Sequence, residues 1–491
     1  MLDIKKIILF ILLFSSSKYQ ELIESNENEL PRKFIFNELK NFDKKINKQN
    51  KFSLSFNYQH IFNTGHPNID NNAEFYSISK RSQLISSRIL FQNKWFFVEV
   101  SPYLISNSNL FKKNTGSGTL WINNNHAVGV PKTKNKMGFK QSKIIIHFKG
   151  LGVAYGNMSH WWSPGFHSSI VLSSNAPSQK TFSIGSFKEI RLNKISFYGN
   201  IILMPYENNT NNNIYFSGFK GYMKLHTKNA LTTLGLHRTY LSGDFKNLSN
   251  ETNFSGKWSS IDAVQLLFEP LFGQSKKGLD YTLINSPGFD TWDEILSGYI
   301  NIEFPKDNFS IYANLVSDDN RANFIDLKAH WDHTLAYIIG FKKFMSFRNF
   351  SFFHGFEYVS TKTSNTFNPK FYRGNPNSIN YYTNEEFDYF TYEGRRMGAH
   401  SGSSGDDLIA IMGFARSNLA LIASLNYERH GIKSEEFPEI KSEIALTIQN
   451  EISDNTTFFI CIENEVINNY GFINGKRSSS ALLWTGLSFK F

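Results

Sequence analysis

Apolar and polar residues alternate with a period of two from about residue 51 to the end of the 491-residue chain. Ile300, Ile302 and Phe304 fall on one face of a segment whose intervening residues are more polar. A turn sequence at 305–308 follows, and the alternation resumes from Ile311. Two such runs on either side of a tight turn predict a β-hairpin with one apolar and one more polar face.

The same alternation recurs and predicts strands along most of the chain. A soluble β-sandwich would show the same pattern. Polar loops of very unequal length, such as 207–213 and 361–393, favour instead a membrane barrel with long loops at one end and tight turns at the other. We therefore predict an all-β fold, namely a transmembrane antiparallel β-barrel. The clearest further runs lie at 195–203, 335–341, 350–358, 419–427, 444–448 and 458–462.

The first seventeen residues have the layout of a secretory signal peptide. Lys5 and Lys6 precede an apolar stretch at 7–14, and the serines at 15–17 are small enough for a cleavage site. The apolar stretch is too short to span a membrane as a helix. The polar segment that follows has partly helix-like spacing, which predicts a short periplasmic helix. The predicted organisation is a signal peptide at 1–17, a periplasmic segment at 18–50 and a barrel in the outer membrane of a Gram-negative bacterium at 51–491.

The last predicted strand carries the strongest topological signal. Leu483, Leu487, Phe489 and Phe491 share one face, and the aromatic Phe491 is the last residue of the sequence. This resembles the C-terminal strand that outer-membrane assembly machinery recognises. We expect this strand to close a large single barrel.

Composition adds information about the partners and the wall of the barrel. Aromatic residues make up 16% of the chain, which fits an aromatic-rich core or the aromatic girdles of a membrane barrel. The formal charge of +10 favours anionic partners such as acidic polysaccharide or lipopolysaccharide phosphates. Charge alone would also fit nucleic acid, but we expect no nucleic-acid partner. The single cysteine, Cys461, excludes an intramolecular disulfide and is interpreted as a small packing residue.

The densest unusual segment lies at 156–178. Trp161 and Trp162 are adjacent, and the sequence Ser-Pro-Gly at 163–165 must turn sharply. Tryptophan rings stack on the apolar faces of sugars, and nearby Asn, Ser and His side chains can bond hydroxyl groups. The segment therefore predicts a sugar-binding site, with the alternative that both tryptophans fix the barrel wall or an internal plug.

Two motifs resemble those of a known family. The string WWSPG…S…LSSNA at 161–176 resembles the WWGPG…S…LSNNA signature of the capsule assembly Wzi family. The segment YEGRRMGAH at 392–400 resembles the GR.(L/I)GH stretch of its Bacteroidetes-type members. Ser163 replaces the usual glycine, and Ala399 separates Gly398 from His400.

The resemblance implies a closed outer-membrane barrel of about eighteen strands with a lectin-like role. It would attach capsular or exported polysaccharide to the cell surface and would not be an enzyme. The implied partners are the polysaccharide, outer-membrane lipid and a polysaccharide export channel, and we expect a monomer. Arginine suits acidic sugars because it bonds carboxylates in a fork, although these charges could equally line a solvated loop or pair with Glu385, Glu386 and Asp388. The candidate ligand-binding residues are Trp161, Trp162, Asn175, Arg373, Arg395, Arg396 and His400.

Two other functions fit parts of the sequence. A porin or solute channel would have the same polar inward faces. A lipid hydrolase would need a Ser/His pair, but His167 and Ser168 are neighbours that point to opposite faces of a strand, and no G-x-S-x-G elbow occurs. The sequence HWDH at 330–333 is divided by the strand period in the same way. We predict no catalytic residue, no metal site and no cofactor.

Overall fold

The structure is a computed structural model in which the described residues form 23 β-strands. The described residues are 52–66, 70–72, 75, 80–109, 133–206, 214–243, 267–268, 270–271, 292–318, 335–347, 349–363, 381–382, 390–393 and 395–491. The predicted signal peptide and the predicted periplasmic helix lie outside them. The strands are β1 (Phe52–Asn63), β2 (Lys80–Gln92), β3 (Phe96–Val100), β4 (Pro102–Asn109), β5 (Thr133–Phe139), β6 (Lys143–Phe148), β7 (Leu151–Met158), β8 (Gln179–Ser186), β9 (Ile190–Leu192), β10 (Ile195–Tyr206), β11 (Ile214–His226), β12 (Leu231–Gly243), β13 (Trp292–Phe304), β14 (Phe309–Asp318), β15 (Leu335–Ser346), β16 (Ser351–Ser360), β17 (Thr391–Tyr392), β18 (Arg395–Arg396), β19 (Asp406–Arg416), β20 (Leu419–His430), β21 (Glu439–Ser453), β22 (Thr456–Asn468) and β23 (Arg477–Lys490).

Antiparallel pairing between neighbours in the chain closes these strands into a barrel. β23 pairs with β1, and Phe489 lies opposite Phe56 at the closure. Three barrel strands are interrupted, and each consists of two segments: β3 with β4, β5 with β6, and β8 with β9. The strands β17 and β18 form a separate hairpin. Within the described residues the barrel therefore has eighteen strands, as predicted, and the predicted last strand closes it.

The connections at the two ends of the barrel differ in length. At the end that holds both Phe52 and Lys490, successive strands are joined by tight turns. Several of these turns use a residue in the left-handed region, such as Asn193 (φ 55°), Asn308 (φ 48°) and Ser417 (φ 51°). All the long connections leave the opposite end. In membrane barrels tight turns face the periplasm and long loops face outwards, so the long-loop end is the extracellular end.

The outer wall of the barrel is apolar and the inner wall is more polar, as the period of two predicts. In β20, Leu425 and Tyr427 face outwards and are exposed, whereas Asn426 and His430 face the lumen and are buried. Comparable aliphatic side chains stand exposed at alternate positions of β13, β14, β15, β21 and β22. An apolar outer band on a closed barrel is what a lipid environment requires, so the protein is an outer-membrane β-barrel.

Among the described residues, no helix is long and apolar enough to cross a bilayer. Cys461 is buried in a cluster with Ile61, Leu84 and Leu482 on the wall, in agreement with its interpretation as a packing residue. A larger cluster joins the inner faces of β10 to β20 to the long connection between β7 and β8. The hydrophobic core therefore lies inside the barrel and includes loop residues.

A charge on the outer wall should be costly. Leu425 is 56% exposed and lies opposite Ile444 of β21, in the apolar band. We expect Leu425→Arg to lower the free energy of unfolding by about 2–4 kcal/mol, because the guanidinium must enter the hydrocarbon region. Urea unfolding of the barrel refolded into liposomes measures this. Glu436→Arg, on the exposed loop that follows β20, is the control, and an equal effect of both changes would contradict the membrane assignment.

Candidate functional site in the barrel lumen

The connection between β7 and β8, residues 159–178, turns into the barrel and is called here the first lumen loop. Ile170, Val171 and Asn175 are fully buried. The backbone N–H of Trp162 donates to the carbonyl oxygen of Leu172 at 2.9 Å, which closes the loop on itself. The predicted tight turn at 163–165 permits this path, since Gly165 N–H donates to the Ser163 hydroxyl at 2.9 Å. The motif that the sequence singled out therefore forms part of the lumen core.

Trp162 fixes the first lumen loop against one side of the barrel. Its ring lies over Gly218 of β11, where an added Cβ would come within 2.6 Å of the ring. The ring also contacts His237 of β12, with the ring centres 5.4 Å apart. Glycine at 218 is needed for this close approach, because any side chain there would displace the indole.

Glu357 of β16 holds the opposite side of the first lumen loop. Its carboxylate accepts the backbone N–H groups of Phe166 at 2.8 Å, Ser168 at 2.7 Å and His167 at 3.3 Å. The hydroxyl of Tyr312 in β14 donates to the same carboxylate at 2.6 Å. Glu357 is 0% exposed, and these bonds satisfy a carboxylate that burial would otherwise destabilise strongly.

Residues 395–405, called here the second lumen loop, pack against the first. Asn175 joins the two loops. Its side-chain N–H donates to the carbonyl oxygen of Arg396 at 3.1 Å, while Arg395 donates to the backbone and side-chain oxygens of Asn175. Ser173 adds bonds to the carbonyl oxygens of Met397 (2.7 Å, from the backbone N–H) and Gly398 (2.6 Å, from the hydroxyl). The two motifs, far apart in sequence, are thus one hydrogen-bonded unit.

Two tyrosines that precede the second lumen loop tie this unit to the wall. Tyr381 donates to the carbonyl oxygen of Val316 in β14 at 2.6 Å, and Tyr382 donates to the carbonyl oxygen of Ile170 at 2.5 Å. The guanidinium of Arg396 stacks on the ring of Tyr382, 4.8 Å from its centre. Burial lowers the pKa of Arg396 to about 10, against the opposing influence of nearby groups such as Tyr382, so the side chain stays charged at neutral pH.

A buried ionic network lies beside the second lumen loop. Lys441 of β21 is within 2.5 Å of Asp70, 2.7 Å of Glu428, and 3.5 Å of both Glu443 and Glu465. Burial by itself would raise the pKa of Asp70, but the charge of Lys441 holds it well below its usual value. Four carboxylates around one ammonium group make the extracellular half of the lumen strongly polar but internally paired.

His400 extends this network into the second lumen loop. Its Nε2 lies 3.1 Å from Asp407 of β19, and its Nδ1 lies 3.2 Å from the side-chain nitrogen of Asn71. Burial would lower the pKa of His400, but the carboxylates of Asp70, Asp407 and Glu428 raise it to about 9. His167 of the first lumen loop lies beside it, with the ring centres 4.7 Å apart.

The structure brings most of the predicted ligand-binding residues together, but inside the barrel. Trp162, Asn175, Arg395, Arg396 and His400 are buried and bonded to one another or to the wall. Trp161 is half-buried, and its indole N–H donates to the carbonyl oxygen of Gly165 at 2.9 Å. Arg373, Glu385, Glu386 and Asp388 lie outside the described residues, as do residues 330–333.

Most of the described residues in the region 361–400 are buried, although Lys362 and Glu393 are exposed. Thr361, Tyr381, Tyr382 and Arg395 are buried. These residues fold inwards because their polar groups find partners on the wall and on the first lumen loop. The hydroxyl of Ser168 makes no hydrogen bond among the described residues, so it does not form a nucleophile–base pair with its neighbour His167.

Sequence reasoning missed the residues that anchor the loops to the wall. Glu357 is the single charge on the inward face of β16, which it shares with Phe353, Gly355 and Val359. A lone carboxylate on an otherwise apolar inward face was a usable signal, since such a charge must find a partner. Asn71, Tyr312 and Asp407 carried no comparable signal, because their partners are distant in sequence.

Comparison with known proteins identifies similar chains. The sequence profile of a family described as capsule assembly protein Wzi matches residues 36–247, a range that contains the first lumen loop and ends before the second. No curated protein matches the sequence.

Among solved structures, the barrel is similar to Wzi of Escherichia coli, an outer-membrane protein involved in group 1 capsule assembly and described as a carbohydrate-binding β-barrel. The TM-score is 0.57 at 12% identity, over 89% of this chain and 84% of that one, which supports the barrel fold. OccAB3 and OccAB2 of Acinetobacter baumannii match with a TM-score of 0.44 each, at 9% and 8% identity, over 90% of this chain and 99% and 98% of theirs.

Loss of the Glu357 carboxylate should release the first lumen loop. We expect Glu357→Ala to lower the free energy of unfolding by about 3–5 kcal/mol, because the N–H groups of Phe166 and Ser168 and the hydroxyl of Tyr312 lose their acceptor. Planar-bilayer recording should show no stable conductance for the unchanged barrel and frequent openings for the variant. Glu436→Ala, in an exposed loop, should leave the free energy of unfolding and the conductance unchanged. Stable conductance of the unchanged barrel would favour a solute channel.

The first lumen loop should also be sensitive to acid through His160. Burial, together with the charges of Lys143 and Lys220, lowers the pKa of His160 to about 3. Because its pKa in the unfolded chain is about 6.5, the unfolded state takes up the proton first, and stability falls as pH drops below about 6.5. We expect His160→Phe to reduce this loss by about 3 kcal/mol between pH 6.5 and pH 4.

Urea unfolding at several pH values measures this effect. His60→Phe, in the partly buried β1, serves as the control and should keep the pH dependence of the unchanged protein. If His160→Phe lost stability in acid as steeply as the unchanged protein, His160 would not be the group responsible.

Proposed function

We propose that this protein is a Wzi-type outer-membrane barrel, of the Bacteroidetes type, that attaches capsular or exported polysaccharide to the cell surface. The observation that carries the proposal is the match of the Wzi profile to residues 36–247, because this range contains the first lumen loop with its two adjacent tryptophans. The carbohydrate-binding role described for Escherichia coli Wzi, a barrel of similar fold, supports it.

The geometry of the lumen favours attachment over transport. The first lumen loop packs against Gly218 of β11 and bonds to Glu357 of β16, and the second lumen loop bonds to the first, so the described part of the lumen is occupied by packed side chains. A solute channel needs a water-filled path lined by polar groups, whereas this interior is filled by a hydrophobic cluster that includes Trp162 and Phe166. We expect the ligand to stay on the extracellular side.

The predicted ligand-binding residues divide into two groups in this proposal. Trp161, which keeps part of its surface exposed, and Arg373 would contact the polysaccharide directly. Trp162, Asn175, Arg395, Arg396 and His400 are closed off from solvent in this conformation, and would contact it only if the lumen loops parted. Their proposed role is to hold the two loops in the shape that presents Trp161.

The N-terminal segments and the net charge indicate how the protein is exported and what it binds. Residues 1–17 would act as a signal peptide and residues 18–50 as a short periplasmic segment. The net charge of +10 favours an acidic polysaccharide as the ligand. A separate export channel would deliver the polysaccharide, and the barrel would act as a monomer without catalysing a reaction.

A deletion strain provides the test of attachment. We expect cells that lack the protein to synthesise polysaccharide but to release most of it into the medium. Expression of the unchanged protein should restore retention, while Trp161→Ala should lower retention roughly tenfold, since loss of an aromatic anchor commonly costs 1–3 kcal/mol of binding. The amount of cell-bound and released polysaccharide is measured after centrifugation.

Trp95→Ala is the matched control. Trp95 is exposed at the opposite, tight-turn end of the barrel and stacks on Phe148. Its loss should leave retention unchanged. Normal retention in the deletion strain would overturn the proposed function, and equal retention by Trp161→Ala and the unchanged protein would remove Trp161 from the site.

A further inference from the structure

His167, His400 and Asp407 come from three separate parts of the chain and converge on one point in the lumen. His167 belongs to the first lumen loop, His400 to the second, and Asp407 to the inward face of β19. Nε2 of His167 and Nε2 of His400 each lie 3.1 Å from the same oxygen, Oδ2 of Asp407. One potential ligand atom from each residue lies within 4.8 Å of the other two.

His400 and Asp407 form an ion pair, but their close atoms are not aligned as a directed hydrogen bond. Within the described residues, neither Nε2 of His400 nor Oδ2 of Asp407 has a hydrogen-bond partner, although His400 is 1% and Asp407 is 1% exposed. A hydrogen bond needs the N–H to point at its acceptor. Ligands of a shared cation instead direct their lone pairs at a point between them.

The spacing fits such a shared cation. Transition metals such as zinc bind imidazole nitrogen and carboxylate oxygen at about 2.0–2.2 Å, which places neighbouring ligand atoms roughly 2.9–3.5 Å apart for octahedral to tetrahedral angles. Both nitrogen-to-oxygen distances, from His167 and from His400 to Asp407, are 3.1 Å and fall in this range.

Two asparagines support these three side chains from behind. Asn426 donates to Oδ1 of Asp407 at 2.7 Å, and its side-chain nitrogen also lies 3.1 Å from Nε2 of His167, a contact that a bound ion would replace. Asn71 donates to the carbonyl oxygen of His167 at 2.8 Å and lies 3.2 Å from Nδ1 of His400. Its Oδ1 has no hydrogen-bond partner among the described residues. The side-chain amide of Asn71 therefore contacts both histidines and holds their positions, the supporting role that outer-shell groups have at metal sites.

The surrounding charges favour a cation at this point. The ionic network that links His400, His430 and Lys441 contains more carboxylates than permanent positive charges. Buried carboxylates in excess must be balanced by protons on the histidines or by a bound cation. A metal ion would take the place of the proton on His400. The carboxylates of this network are those of Asp70, Asp407, Glu428, Glu439, Glu443 and Glu465.

We propose that His167, His400 and Asp407 form a binding site for a divalent transition-metal ion such as Zn²⁺. Two imidazoles and one carboxylate suit such an ion, whereas Mg²⁺ and Ca²⁺ prefer oxygen ligands alone. The side chain of His167 is 15% exposed, which leaves room for water as a fourth ligand. The ion cross-links both lumen loops to β19 and so locks the plug of the barrel.

Two neighbouring clusters of acidic residues are less suited to the ion. Asp70 and Glu428, which also approach His400, are already paired with the ammonium group of Lys441 at 2.5 and 2.7 Å. Glu443, Glu463 and Glu465 form a second cluster of three carboxylates, in which Glu465 pairs with His66 and both Glu443 and Glu465 lie 3.5 Å from Lys441. The site at Asp407 therefore has the best ligand set among the described residues.

Metal titration of the full-length, detergent-solubilised barrel carrying no histidine tag tests the proposal. After treatment with EDTA, Zn²⁺ is added in competition with a chromophoric chelator, and Co²⁺ is added separately for its visible absorption. We expect one equivalent of Zn²⁺ to bind, and Co²⁺ to show the intense bands of a low-symmetry site with nitrogen and oxygen ligands. Metal-loaded barrel should unfold at a higher temperature than EDTA-treated barrel.

Three single variants identify the ligands. His167→Gln, His400→Gln and Asp407→Asn should each weaken Zn²⁺ binding by at least about 100-fold, and Asn71→Ala by about 10-fold to 100-fold. His237→Gln, at a buried histidine with no carboxylate partner in the described structure, should bind Zn²⁺ as the unchanged protein does. Heat-modifiable mobility in electrophoresis shows that each variant is folded.

The outcomes separate the proposal from the proposed function. Binding of fewer than one equivalent by the unchanged barrel, or equal binding by the three ligand variants and His237→Gln, would overturn the metal site. If a variant fails to fold, X-ray absorption of the Zn²⁺-loaded unchanged protein decides the matter. Scattering from two imidazole ligands would support the site, and its absence would refute it. None of these measurements requires polysaccharide.

Discussion

The position of the first lumen loop depends on the bonds between its backbone and the carboxylate of Glu357. A chain segment buried inside a barrel has no water to satisfy its N–H groups, so each needs a partner from the protein. Glu357 is the hydrogen-bond acceptor for the N–H groups of Phe166, His167 and Ser168. The carboxylate of Glu357 also accepts a hydrogen bond from the hydroxyl of Tyr312. The carboxylate and the loop therefore stabilise each other, and neither would be stable inside the barrel alone.

The second lumen loop depends on the first. The backbone and side-chain oxygens of Asn175 accept hydrogen bonds from Arg395. The side-chain N–H of Asn175 donates to the backbone carbonyl oxygen of Arg396. Buried guanidinium groups are stable only when their donors are engaged or stacked, and Tyr382 supplies the stacking surface for Arg396. Arginines of this kind act as structural members of the plug. Both motifs therefore contain residues whose hydrogen bonds lie within the plug itself.

The two faces of each strand serve different purposes in this protein. The outer faces are apolar because lipid surrounds them, while the inner faces carry the carboxylates, lysine and histidines of the ionic network. Charges placed inside the barrel add directional contacts that an apolar core would lack, and they fix the relation between β19, β20, β21 and the lumen loops. Among the described residues the lumen is filled by packed side chains, which suits a surface anchor better than a channel.

The sequence by itself determined the strands, because a period of two is a local property that needs no knowledge of partners, and the unequal loops favoured a barrel over a sandwich. It also located the two motifs, since WWSPG at 161–165 and GRRMGAH at 394–400 are local strings. It did not determine that these strings lie buried side by side, because the pairing of Asn175 with Arg395 joins residues 220 positions apart. Only the tertiary structure decided which polar residues support the plug, since Glu357, Asp407 and Lys441 obtain their roles from neighbours that closure of the barrel brings to them.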